Sequence, residues 1–386
     1  MKISYIEQSD PDITRDDINA VIEALSQPRL SNGPIVEAFE TAFAHYTGRK
    51  YAVAVSGGGT AMLLILKALG IGEGDEVICS SYSWRELNHA VVHAGGRPVF
   101  ADIDYWSGSI TAEKVASRIT PKTQAIIVNN PNGHPAPWQD LRDLADEADI
   151  ALIEDSSEAI GSRYKGALVG TFGDCSLFDF SQPSALACGE GAMIVSDDID
   201  LIVKLRALRG RQAQDRFNVS ISCTAPLGAA MSEITAALGM SQLSRLEGIL
   251  LKRKRIEHWY MRYVQAFEGI KPAYIAPDVD EVHWLFFMVH LGTRFDRGAR
   301  DSILGDLRTE HIEAHAYCRP LHLQGALHGS WLQTRRLSGH RKNCGSRRGS
   351  AVSHPSQRGA DSLLGRHHEG ICDQRRGWGA YLPLTN

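Results

Sequence analysis

At 386 residues with 43% hydrophobic content, the chain is long enough for one large domain and a smaller one with sizeable cores. Its net charge of −4 is unevenly divided: from residue 335 onward ten Arg or Lys stand against three acids, leaving about −11 on residues 1–334. Seven scattered cysteines with no CxxC pair or metal-like Cys/His spacing, no apolar run near the ~20 residues that span a bilayer, and an acidic start (MKISYIEQSD) argue against a disulfide framework, a metal site, membrane insertion and secretion; the expected location is cytoplasmic.

Along the chain, INAVIEAL and VEAFETAFAHY carry apolar residues at helical spacing. YAVAVSG, DEVICSSY, RPVFADID, QAIIVNN, IALIEDSS and GAMIVSD are short runs rich in Val and Ile, each closing on polar or small residues. They read as buried strands of a mostly parallel sheet, with their C-terminal ends at a common edge where open α/β sheets place ligands. A long helical stretch is expected from about Ser232 to Phe267, and PAYIAP with VHWLFFMVHLG reads as the start of a smaller α+β domain. The expected division is a large domain over 1–240, a small one over 241–334 and an atypical basic tail over 335–386. That tail is rich in Arg, His, Ser and Gly without sustained period, and offers little apolar surface against a backbone ordering cost of about 1–2 kcal/mol per residue.

Three stretches carry candidate chemistry. AVSGGGTAMLLILKALG joins a strand to a helix through Ser56, Gly57, Gly58, Gly59 and Thr60, where free N–H groups and the helix dipole attract an anion; a tight strand-to-helix turn accounts for the glycines equally well. ICSSYSWREL sets Trp84 just past a strand, as a ring platform or as core. ALIEDSSEAIG ends a strand on Glu154 and Asp155, whose carboxylate would either hold a pyridine nitrogen protonated or serve as a solvated strand end. NNPNGHP lies at another strand end and reads as a loop beside the same edge.

In order, these stretches, with LSNGPIVEAFETAFAHYTGRK, GGRPVFADID, IEDSSEAIGSRYKGALVGTFGDCSLFDF, GEGAMIV and MSEITAALGMSQL, resemble the DegT/DnrJ/EryC1/StrS family of sugar aminotransferases over about residues 5–325. The resemblance implies the α/β fold type I of pyridoxal-phosphate transferases: a large domain whose mostly parallel sheet is sandwiched by helices, a smaller C-terminal α+β domain, and a homodimer. It further implies amino transfer to the keto carbon of a nucleotide-linked sugar. Gly59 and Thr60 match the phosphate contacts, Trp84 the stacking aromatic, Asp155 the pyridinium partner, and Glu158 the position near the ring hydroxyl. EAHAYCRPLHLQ, with His315, Tyr317, Arg319 and His322, resembles the substrate-proximal segment, where Tyr317, Arg319 and His322 would meet the sugar nucleotide.

Three positions depart from the family pattern. In FDFSQPSALACGEGAMIV, Ser184 occupies the position of the imine-forming lysine, and Asp179 that of a phosphate-binding serine. Gly228 and Ala230 stand at the positions of an Asn and an Arg, of which the Asn would reach the cofactor phosphate of the neighbouring subunit. A serine hydroxyl forms no imine and is a poor base near neutral pH. A carboxylate about 4 Å from a phosphate meets like-charge repulsion of about 1 kcal/mol in water and about 4 kcal/mol at an effective dielectric near 20. Ordinary transamination should therefore fail, and pyridoxal or pyridoxamine phosphate, if held, should be held non-covalently. The alternative is a non-catalytic homologue that binds a sugar nucleotide or pairs with an active paralogue as a heterodimer. The basic tail is read in three ways: a solvated extension, an arm for nucleic acid or an anionic surface (ranked last), or the product of a reading-frame shift near residue 330.

Overall fold

The computed structural model describes residues 5–210, 225–265, 267–292, 295–318 and 320–323. The basic tail and Arg319 lie outside the described residues.

Two helices open the chain, α1 (Arg15–Leu25) and α2 (Pro34–Thr47). Proline at the first position of α2 supplies a pre-set φ, and Gly48 closes it at φ 78°, a left-handed conformation that favours glycine. The α/β body follows: β1 (Tyr51–Val55), α3 (Gly58–Ala68), β2 (Glu76–Ser80), α4 (Arg85–Ala94), β3 (Arg97–Ala101), α5 (Ala112–Ala116), β4 (Thr123–Asn129), α6 (Trp138–Ala148) and β5 (Ala151–Asp155). Next come β6 (Arg163–Tyr164), β7 (Ala167–Leu168), β8 (Cys175–Asp179), β9 (Ala192–Ser196) and α7 (Ile199–Arg209). After them stand α8 (Glu233–Ser244), α9 (Leu246–Val264), β10 (Ile270–Pro272), β11 (Val279–Glu281), β12 (Val289–Leu291) and α10 (Arg297–Thr309).

Seven strands form one sheet in the order β1-β9-β8-β5-β4-β2-β3. Successive side chains alternate between its faces. Val53, Val77, Cys79, Ile127, Ile153 and Leu177 pack toward α3, α4 and α7, whereas Ala52, Ile78, Ile126, Leu152 and Phe178 pack on the opposite side with α2, α6 and α8. The outcome is the expected α/β sandwich of a mostly parallel sheet between helices.

Two sequence expectations are corrected. GAMIVSD does not end at the common edge, because β9 pairs antiparallel with both β1 and β8. The short link from Asp179 to Ala192 holds no crossover helix, so the chain returns antiparallel, a direction that apolar periodicity cannot reveal. The stretch from Ser232 to Phe267 is two helices that break at Arg245, whose Nη2 reaches Asp17 Oδ2 at 2.6 Å and the Asp12 carbonyl at 2.6 Å. Within VHWLFFMVHLG only Val289–Leu291 is strand, paired with β10; Val282 and Trp284 to Met288 are buried in the core beneath β2, β4 and β5. No helix among the described residues is long and apolar enough to cross a membrane.

Candidate cofactor and substrate site

The C-terminal edge of the sheet gathers three buried acids, Glu154, Asp155 and Glu158. β5 ends on Glu154 and Asp155, with opposite duties. Glu154 is fully buried and receives bonds from Asn130 Nδ2 (3.1 Å), Ser156 Oγ (2.7 Å), Ser176 Oγ (3.0 Å) and the amides of Gly170 (2.6 Å), Phe172 (2.9 Å) and Gly173 (3.3 Å). So many donors make it a structural anchor for the 170–173 loop. Asp155 is also buried, but accepts the Ser157 amide at 3.1 Å and a bond from the Ser157 hydroxyl. Desolvation pushes its carboxyl up to about 6 against those two bonds, and the charges of Asp179 and Glu154 add to the rise.

Asp179 ends β8 and its side chain turns onto the start of α3. Its Oδ1 accepts the Ser181 amide at 2.9 Å, and its carboxylate also accepts from the Gly58 amide. A Cβ built on Gly58 would lie 2.2 Å from Asp179 Oδ2. The Asp179 amide donates to Ser157 Oγ at 3.1 Å, so Ser157 links Asp179 to Asp155. Burial holds the Asp179 carboxyl above its usual range, opposed by the Ser181 and Gly58 bonds. Around the same helix start, a Cβ on Gly59 would stand 3.3 Å from the Glu86 Cβ, and one on Gly57 4.0 Å from Glu190 Oε2. Thr60 lies half-buried in the first turn of α3.

Glu158 is buried one turn beyond Asp155. The Tyr317 hydroxyl lies 2.7 Å from both its oxygens, and the Asn132 amide and the Trp84 side chain also bond it. Desolvation raises its carboxyl to about 7 against these donors, with Asp155 adding to the rise. Trp84, half-buried at the start of α4, packs against both main core clusters. Tyr317 meets Tyr82 edge-to-face at 5.1 Å. His322 is buried in the short turn Leu321–Leu323, which the Leu321 amide ties to the Ser81 carbonyl at 3.0 Å.

Ser184 lies on the link between β8 and β9. Its Oγ accepts the Leu186 amide at 3.3 Å, and it lines a shallow cleft with residues 8–12, Lys252, Arg253 and Leu285. Among the described residues no lysine is buried; Lys252, in the same cleft, is exposed and paired to Asp12 Oδ2 at 2.5 Å. No group of three or more described His, Cys, Asp or Glu is placed to hold a metal.

The structure thus brings together Trp84, Glu158 and Tyr317, links Asp155 through Ser157 to Asp179 at the start of α3, where Gly59 and Thr60 lie, and sets Ser184 on the wall of a cleft with residues 8–12. Sequence reasoning missed Ser157 as the bridge between two carboxylates; its place two residues after a strand-end acid was the available signal. It placed NNPNGHP beside the site without anticipating that the Asn132 amide would bond Glu158.

A profile of the DegT/DnrJ/EryC1/StrS aminotransferase family matches residues 11–343. The chain belongs to this family. It is 32% identical over 315 residues to GDP-perosamine synthase of Caulobacter vibrioides, covering 81% of this chain and 84% of that protein. It is also 32% identical over 332 residues to the spore coat polysaccharide biosynthesis protein SpsC of Bacillus subtilis, covering 83% and 84%. Among solved structures, S. venezuelae DesV in complex with a ketimine intermediate is similar with a TM-score of 0.75 and 30% identity, over 83% of this chain and 84% of that one. The family and fold implied by the sequence motifs therefore hold, and the two relatives named above belong to sugar chemistry by name.

The family's cofactor is pyridoxal phosphate, and this site fits it poorly. Asp155 stands at a strand end, as a pyridinium partner would. The Gly58 amide at the start of α3, where a phosphate would bind, instead meets the Asp179 carboxylate, and no described amine is buried at the pocket floor.

Proposed function

We propose that this protein is a sugar-directed member of the aminotransferase family that binds a nucleotide-linked sugar without forming an imine at residue 184. The observation that carries the reading is the hydroxyl of Ser184, bonded to the Leu186 amide, where the resemblance calls for an amine. The likeness to GDP-perosamine synthase and DesV supports a sugar nucleotide as ligand. Glu158, Tyr317 and His322 would meet the sugar, with Trp84 and Asp155 beneath it. The donors on Glu158 orient its carboxyl, and a group raised to about 7 exchanges a proton readily near neutral pH. The three fully or nearly buried free cysteines, Cys79, Cys175 and Cys188, suit a reducing cytoplasm. A dimer, with itself or with a paralogue that retains the lysine, is part of the proposal.

The test pairs two titrations of the purified protein. Pyridoxal phosphate should give no imine absorbance band and no borohydride-stable adduct, while a GDP- or dTDP-linked sugar should give saturable heat on calorimetry. A reducible adduct at any lysine sinks the proposal, as does indifference to every nucleotide sugar tried.

A further inference from the structure

We infer that Asp179 is a built-in occupant of the phosphate cradle: its carboxylate takes the place of a cofactor phosphate at the start of α3 and makes the site selective against phosphate esters there. The inference stands on contacts that do not involve Ser184.

Glycine at position 58 would ordinarily be read as room for a ligand. Here the room is filled from within, because Asp179 Oδ2 would lie 2.2 Å from any Cβ at that position. The Gly58 and Ser181 amides both point at the same carboxylate, so the Gly58 donor at this helix start is already engaged and the carboxylate occupies the space before it. A helix start supplies partial positive charge, and one carboxylate already matches it. Among the described residues the charges beside this helix start are chiefly acidic. Glu86 stands beside Gly59 and Glu190 beside Gly57, while Arg85 is turned onto Glu86 at 2.7 Å. A phosphate dianion would have to displace Asp179 into this acidic rim and leave it without its amides.

Through its amide Asp179 holds Ser157, and Ser157 holds Asp155, so one residue ties the α3 start, the end of β8 and the end of β5. The same device recurs in the chain. Glu233 of α8 reaches across to the start of α2 and accepts the amides of Gly33 (2.8 Å), Ile35 (2.9 Å) and Val36 (3.1 Å). There, too, a glycine at the helix start gives a distant carboxylate its approach: a Cβ on Gly33 would lie 3.0 Å from Glu233 Oε2. Two helix starts filled by internal carboxylates give a fold that stands without an external anion.

The probe is inorganic phosphate, which has no aldehyde and is blind to the imine question. Thermal melts of the full chain, with and without millimolar phosphate, should show no phosphate-dependent rise for the wild type. Asp179→Ser should gain a saturable rise, with affinity for phosphate increased at least about tenfold by removal of the like charge and release of the two amides. Ser184→Lys, which keeps Asp179, should stay as blind to phosphate as the wild type. A phosphate-dependent rise in the wild type equal to that of Asp179→Ser overturns the inference, and so does an Asp179→Ser protein that folds but gains nothing. Should that variant be insoluble, the wild type decides in competition with pyridoxal. Tighter binding of pyridoxal phosphate than of pyridoxal overturns the inference, and equal or weaker binding supports it. An imine in Ser184→Lys would bear on the proposed function alone.

Discussion

Glu158 is a site carboxyl whose chemistry departs far from its type. Its folded carboxyl, raised to about 7 chiefly by desolvation, holds its proton more tightly than the unfolded group at 4.5. The sign follows by linkage: the stabilisation is fully present below the unfolded value, fades as pH climbs through the folded one, and is gone above it. Glu158→Gln keeps an acceptor for the Tyr317 hydroxyl and the Asn132 amide but cannot ionise. The melting temperature of the wild type should therefore fall more between pH 5 and pH 8 than that of Glu158→Gln, as read by calorimetry at the two pH values. Parallel slopes would place the titration elsewhere. The two halves of this pair lie 159 positions apart. Each was legible as a site residue through the family resemblance, yet their bond was not, because only tertiary folding brings residue 317 over the end of β5.

At the scale of elements, the start of α3 makes a claim about packing that a mutant cycle can read. Gly58→Ala would drive a methyl group to 2.2 Å from Asp179 Oδ2, which obliges the carboxylate or the helix to move. Overpacking of this kind costs about 1–3 kcal/mol, and the lost amide bonds add to it. In the Asp179→Ser background the same alanine should cost markedly less, so urea melts of the two single variants and the double variant should show a coupling of at least about 1 kcal/mol. Strict additivity would mean that the carboxylate does not rest on Gly58 in solution. Helices and parallel strands were readable because period and burial leave a mark on composition. The reversal of β9 and the break at Arg245 were not, since the first depends on a loop that forms no crossover helix and the second on contacts with Asp12 and Asp17 at the far end of the chain.

For the whole molecule, the question is what a single chain leaves uncovered. On α1, Ile18, Ile22 and Leu25 are 44%, 55% and 55% exposed and lie three and four residues apart along one face, while Asp17 and Ala24 turn inward against α8. An apolar stripe of this kind is a common mark of a surface that another protein covers. A second copy related by a two-fold axis is the occupant that the family resemblance implies, since self-complementary pairing closes the assembly. Light scattering should then give twice the 42.3 kDa of the chain. Ile22→Glu, exposed in the single chain, should move the mass to that of one chain with the far-ultraviolet circular dichroism unchanged, because a charge there costs the isolated fold little and a buried interface much. A wild type that scatters as one chain would leave the stripe for the paralogue, and the same variant would then read out on mixing with that partner. A wild-type dimer that survives Ile22→Glu would place the two-fold contact on another face.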